Sequence, residues 1–160
     1  MKPNPKLIKL INYRINQEEY SSRVYHAMSV WLDNNAYKST SLWKTYSDEE
    51  LKHAHKAYEF LLSFGIMPEI QVIDNVEVEY KDLADIIQKT FAHEMLISQQ
   101  CESLYMAGIE EKNPMVMELG RWFVSEQIEE LSKAQTLVDL LRTFGTDKIA
   151  QMLIDDRISG

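Results

Sequence analysis

The segment 66–81 limits the fold of this chain more than any other feature. It reads as extended, and everything around it reads as helix. Within it Ile70, Val72, Val76, Val78 and Tyr80 alternate with Glu69, Gln71, Glu77 and Glu79, a period of two. On both sides apolar residues recur every three or four positions, the period of an amphipathic helix. The spacing predicts helices over about 6–33, 39–64, 82–109 and 114–143, with a short fifth over about 147–157. Pro5 opens the first, and Asp33-Asn34-Asn35 closes it. Ser39 is placed to cap the second, and Gly65 to stop it. Asp82 begins the third, and Asn113 caps the fourth ahead of Pro114. Gly145 then breaks the chain, and Thr146 is placed to cap the fifth. A helix of about 26 residues is roughly 39 Å long, and a segment the length of 66–81 reaches roughly 50 Å when extended. The segment can therefore run the full length of a bundle. The second and third helices are then parallel, and the short connections make the other neighbours antiparallel. The expected fold is all-α: a four-helix bundle with one long crossover between helices two and three and a short fifth C-terminal helix, one domain over residues 1–160.

Charge narrows the function classes. Seventeen basic residues against 25 acidic ones give a net charge of −8, which argues against a nucleic-acid or anionic-membrane partner. Hydrophobic residues make up 45% of the chain, enough for a core and too many for disorder. The single cysteine, Cys101, excludes an internal disulfide framework and any CxxC metal site. The N-terminal lysines are not followed by an apolar signal-peptide core, and no run of about 18 apolar residues exists. The expectation is a soluble cytoplasmic protein.

Each long helix carries an apolar stripe interrupted by acid. The stripes are Leu7, Ile11, Glu18, Tyr25, Leu32; then Leu42, Tyr46, Glu50, His53, Ala57, Phe60, Phe64; then Leu83, Ile87, Thr90, Glu94, Ile97, Cys101, Leu104; and finally Leu119, Phe123, Glu126, Glu130, Ala134, Leu137, Leu141. Heights along the bundle agree. Glu50 and Glu94 lie about 11 and 12 residues into parallel helices, Glu18 about 15 before the end of helix one, and Glu126 and Glu130 about 12 and 16 into helix four. One cross-section thus collects Glu18, Glu50, His53, Glu94 and Glu130, with Glu126 close by. Clustered inward carboxylates repel one another and are costly to desolvate. No Lys or Arg is expected on these stripes at that level, so a cation is the simplest compensation. Oxygen donors with one imidazole and no thiolate suit iron, manganese or, less selectively, zinc. Glutamates from separate helices with a Glu-x-x-His motif form the di-iron carboxylate pattern.

The stretches Asn16-Gln17-Glu18-Glu19-Tyr20-Ser21-Ser22, Glu49-Glu50-Leu51-Lys52-His53, His93-Glu94 and Trp122-Phe123-Val124-Ser125-Glu126-Gln127-Ile128-Glu129-Glu130 closely resemble bacterial non-haem ferritins. The resemblance covers nearly the whole chain. It implies a ferritin-like bundle that oxidises Fe(II) with O₂ or H₂O₂ and stores the ferric product inside a homo-oligomeric cage of 24 subunits. In a residue-by-residue carry-over, Glu18, Glu50 and His53 match ligands of the first iron, and Glu50 bridges to a second held by Glu94 and Glu130. Gln127 matches a glutamine beside the centre. Glu49, Glu126, Glu129 and Glu130 match a third iron site found in some bacterial members. Tyr25 matches a tyrosine at the di-iron centre, and its place one heptad after Glu18 puts it there independently. Helix four lacks a second Glu-x-x-His, and Leu51 follows Glu50 where haem-binding relatives have methionine, so no haem is expected. DNA-protecting mini-ferritins and rubrerythrins fit the pattern poorly.

Other residues have plainer readings. His55 lies about 200° around the helix from His53 and reads as a polar-face residue. His26 and His93 read as ordinary helix residues or neighbours of the site, and Cys101 as a small core residue. Glu110, Glu111 and Glu118 form either a solvated corner or, by the resemblance, a cation channel. Two alternatives to storage remain: a di-iron oxidase or peroxidase that retains no mineral, and a helical assembly protein with structural metal.

Overall fold

The structure is a computed structural model that describes residues 1–159. It contains α1 (Pro5–Asn34), α2 (Thr40–Ser63), α3 (Leu83–Glu110), α4 (Pro114–Phe144) and α5 (Lys148–Ser159), and no strand among the described residues. The helix ends follow local chemistry. Asn4 Oδ1 accepts from the Leu7 N–H at 2.9 Å, with Pro5 in the first turn. Asp82 and Asn113 cap α3 and α4 as expected. Two caps differ from expectation. Ser39 stands at the start of α2, but its hydroxyl bonds nothing; instead its backbone N–H donates to Asp155 Oδ1. Asp147, not Thr146, caps α5, accepting from the Ala150 N–H at 2.8 Å. A carboxylate one residue later reaches the free N–H groups, so it displaces the threonine hydroxyl from that role.

Helix α1 packs along α2, and α3 along α4, while α5 closes one end against α4, α2 and α3. Two apolar clusters fill the bundle. One joins the C-terminal half of α1, the N-terminal ends of α2 and α3, the C-terminal half of α4 and α5, through residues such as Met28, Leu32, Trp43, Ile86, Leu137 and Ile154. The other joins the opposite ends, through Leu7, Ile11, Leu61, Ile97, Leu104, Val116 and Phe123. That grouping requires α2 parallel to α3, and each antiparallel to its packed partner, the connectivity the long crossover predicts. Between the clusters lies a polar layer. On α2 the buried face is rotated slightly from the predicted stripe: Trp43, Ala54 and Leu61 are buried, while Leu42, Phe60 and Phe64 sit at its edge.

The crossover runs extended without pairing. Asn12 Oδ1 accepts from the Glu69 N–H at 2.9 Å, and Asn16 donates to the Val72 carbonyl at 3.0 Å, fastening the crossover to α1. Its alternating apolar residues mostly face outward: Ile70 is 75% and Val72 90% exposed, and only Tyr80 is buried.

Candidate metal centre

The polar layer holds Glu18, Glu50, His53, Glu94 and Glu130, all buried within it. Their ligand atoms fall into overlapping groups. Glu18, Glu50 and His53 each bring one donor atom to within 4.8 Å of the others, and so do Glu50, Glu94 and Glu130. Glu50 belongs to both. A further group joins His53, Glu126 and Glu130. His53 Nδ1 is 3.4 Å from Glu50 Oε2 and 3.6 Å from Glu18 Oε2, and its Nε2 is 3.5 Å from Glu126 Oε2.

The donor atoms themselves say what fits. Both Glu18 oxygens, Glu50 Oε2 and His53 Nδ1 are buried without a hydrogen-bond partner. Such orphaned polar atoms are costly in an apolar interior unless something satisfies them. Four carboxylates and one imidazole, with Cys101 buried away in the apolar cluster, are a donor set for iron or manganese.

Electrostatics agree. Burial and the Glu18 charge push Glu50 well above the ordinary carboxylate range. Burial and the Glu94 charge lift Glu130 to about 7. Burial opposes charge on His53, yet Glu18 and Glu50 raise it to about 11. Without metal the layer therefore neutralises itself with protons. Glu18 is the exception: against burial, Arg14 and His53 hold it at about 2.

Three neighbours orient the acids. Tyr25 donates from its phenol to Glu94 Oε1. Burial and the Glu94 charge raise the Tyr25 pKa well above the ordinary phenol value, so the proton stays in place. Gln127 Nε2 donates to Glu94 Oε2 at 2.9 Å and to Ser98 Oγ at 3.1 Å. His93, half-buried, shares a 2.8 Å hydrogen bond with Ser21 and packs edge-on against Tyr25.

The structure differs from the sequence reading at Arg14 and in the phase of the inward face of α4. Arg14 is buried at this level, with Nε 3.0 Å from Glu18 Oε1, so the layer does contain a basic group. Its spacing, four residues before Glu18, was the available signal. Glu126 stands at the edge of the layer, and Gln127 takes the inward position on α4. Glu129 is exposed, and Glu49 faces the Lys133 ammonium at 3.8 Å; neither joins a ligand group among the described residues. Glu111 accepts from Asn4 at 2.9 Å and pairs with Lys6, tying down the N-terminus. His55 is exposed and pairs with Glu59, as its helix angle predicts.

A four-helix bundle with a glutamate shared between two buried groups of potential ligands has the arrangement of the metal-binding carboxylate bundles. The chain belongs to the ferritin family: the ferritin-like domain model matches residues 8–144. It is 33% identical over 150 residues to a probable bacterial non-heme ferritin-like protein of Haemophilus influenzae, covering 93% of this chain and 91% of the relative. It is 28% identical to the bacterial non-heme ferritin of Escherichia coli O157:H7, covering 97% and 94%. The open-pore ferritin of the hyperthermophilic archaeon Archaeoglobus fulgidus superposes with a TM-score of 0.92 at 26% identity, covering 99% of this chain and 98% of that one. The chain is thus an iron-storing ferroxidase. No described helix is long and apolar enough to cross a membrane.

Proposed function

We propose that the two overlapping groups bind two ferrous ions as substrate within each subunit, and that the chain works as one ferritin-like domain. Glu18, Glu50 and His53 hold the first ion; Glu50 bridges; Glu94 and Glu130 hold the second. The observation that carries this is Glu50, whose carboxylate belongs to both groups. Two Fe(II) ions side by side supply the two electrons that reduce O₂ to H₂O₂, with two protons taken up. Peroxide is an alternative oxidant. Carboxylates stabilise the more highly charged ferric product, and this drives oxidation forward. Tyr25 and Gln127 keep both Glu94 oxygens oriented by donating to them.

A third cation has His53, Glu126 and Glu130 available on the outer side of the layer, beside Glu49 and Glu129. Lys133, 3.6 Å from Glu130 Oε1, competes with it there. The shell is a closed homo-oligomer of 24 subunits in the cytoplasm, and the charge of −8 on every chain helps concentrate Fe(II) at it. The test is aerobic Fe(II) addition to the metal-free protein, following ferric absorbance, particle size and retained iron. Rapid oxidation with hundreds of irons kept in a large particle is expected. Retention of only two or three irons per chain would make this a di-iron oxidase instead. No oxidation above the protein-free rate would remove the catalytic reading.

A further inference from the structure

Among the described residues Arg14 is the only buried Lys or Arg. It leaves the same face of α1 as Glu18, one turn earlier, and its guanidinium carbon lies 5.9 Å from the centre of the Phe123 ring. No aligned hydrogen-bond acceptor reaches Nε or Nη2, and Glu18 is the only carboxylate within ion-pair distance. A guanidinium keeps its proton in proteins, so this charge is permanent. Glu18 is thereby divided: Oε1 faces Arg14 at 3.0 Å, while Oε2 faces His53 Nδ1 at 3.6 Å.

The two metal positions differ in charge as a result. The first has Glu18, Glu50 and His53, and one of its two carboxylates is already matched by Arg14. The second has three carboxylates, Glu50, Glu94 and Glu130. The lysine paired with it, Lys133, is 47% exposed and so screened by solvent. Coulomb repulsion between a buried guanidinium and a divalent ion a few ångströms away is large in a medium of low dielectric constant.

We infer that Arg14 makes the two positions unequal: a divalent cation fills the Glu50–Glu94–Glu130 position first, and the Glu18–Glu50–His53 position is the weaker and fills second. The inference rests on the two-metal reading above. Arg14 is not a ligand: its fixed charge acts on Glu18 Oε1 and on the ion that Glu18 would hold.

The test is Co²⁺ titration of the full-length assembled protein, by calorimetry and by Co²⁺ absorption. The tighter-binding step should vanish in Glu94→Ala and survive in Glu18→Gln. In the Glu94→Ala background, which isolates the first position, Arg14→Gln should tighten Co²⁺ binding by about tenfold or more, and Arg14→Lys should leave it unchanged. Affinity that is unchanged or weaker in Arg14→Gln, or a tighter step lost in Glu18→Gln instead, would overturn the inference while leaving the two-metal reading intact. Should Arg14→Gln not fold, the order of filling still decides. Uptake of fewer than two Co²⁺ per chain at saturation would overturn both.

Discussion

Glu50 holds a buried carboxylate oxygen with no donor, so in the metal-free protein it is a source of instability as well as a ligand. Its raised pKa means that folding at neutral pH takes up a proton that the unfolded chain does not hold. Glu50→Gln removes that requirement. The metal-free variant should be more stable by about 1 kcal/mol or more, about 2–4 °C in Tm, and should lose stabilisation by added Zn²⁺ at both positions. A lower Tm in thermal denaturation would instead make Glu50 a structural residue. The layer also sets the pH dependence. Glu130 has a folded value of about 7 against an ordinary 4.5, so the folded state keeps a proton the unfolded state has lost, and stability falls as pH rises through that window. His53, at about 11 against 6.5, contributes stability that is lost as pH rises from 6.5 to 11. Glu18, at about 2, contributes above 4.5 and loses its contribution only as pH falls towards 2. Metal-free Tm should therefore decline from about pH 5 to pH 9, and Zn²⁺ should flatten the decline, because cation binding replaces the protons. A Tm that climbs over that range without metal would refute this charge assignment.

At the scale of the element, the closest approach limits packing most. On α4 a Cβ added to Gly120 would stand 2.6 Å from Tyr105 Cα and 2.9 Å from its N, both backbone atoms of α3 that cannot swing away. Helix propensity alone favours Ala over Gly by about 1 kcal/mol, but forced separation of two packed helices costs about 1–3 kcal/mol. Gly120→Ala should therefore lower the urea midpoint, and a raised midpoint would mean that α3 and α4 have slack at this crossing. The helices were legible in the sequence because 3.6-residue periodicity extends over many turns, and one glycine or cap hardly blurs it. Their ends were less so: Ser39 and Thr146 have the right side chains to cap, but the Ser39 hydroxyl makes no cap bond and Asp147 takes the place of Thr146. The inward acids were legible because each interrupts an apolar stripe. Arg14 was not, because an arginine on a helix ordinarily points to water, and only its partner at the fourth position marks it as buried. Glu126 was misplaced by one position, since adjacent polar residues on α4 leave the phase of that turn undecided until Gln127 is seen facing Glu94.

At the scale of the whole molecule, the crossover separates chemistry from storage. The groups of potential metal ligands come together within one chain. The crossover, by contrast, turns Ile70, Val72 and Val78 outward, at 75%, 90% and 61% exposure. Apolar side chains aligned along an unpaired extended segment are an aggregation hazard unless another surface covers them, and a second copy meeting them across a twofold axis does so at no cost in new sequence. The double variant Ile70→Glu, Val72→Glu would place two charges on each side of such a contact. It should yield small species by light scattering, with helical circular dichroism unchanged, since neither residue touches the core. Fe(II) oxidation per chain should persist, because the polar layer lies inside the bundle between the apolar clusters while the Ile70 and Val72 side chains face outward. Retained ferric mineral should be lost, because a mineral needs an enclosing shell and a lone subunit has none. An unchanged particle size would place the crossover outside the subunit contacts. Loss of oxidation together with assembly would mean that the centre depends on neighbours after all.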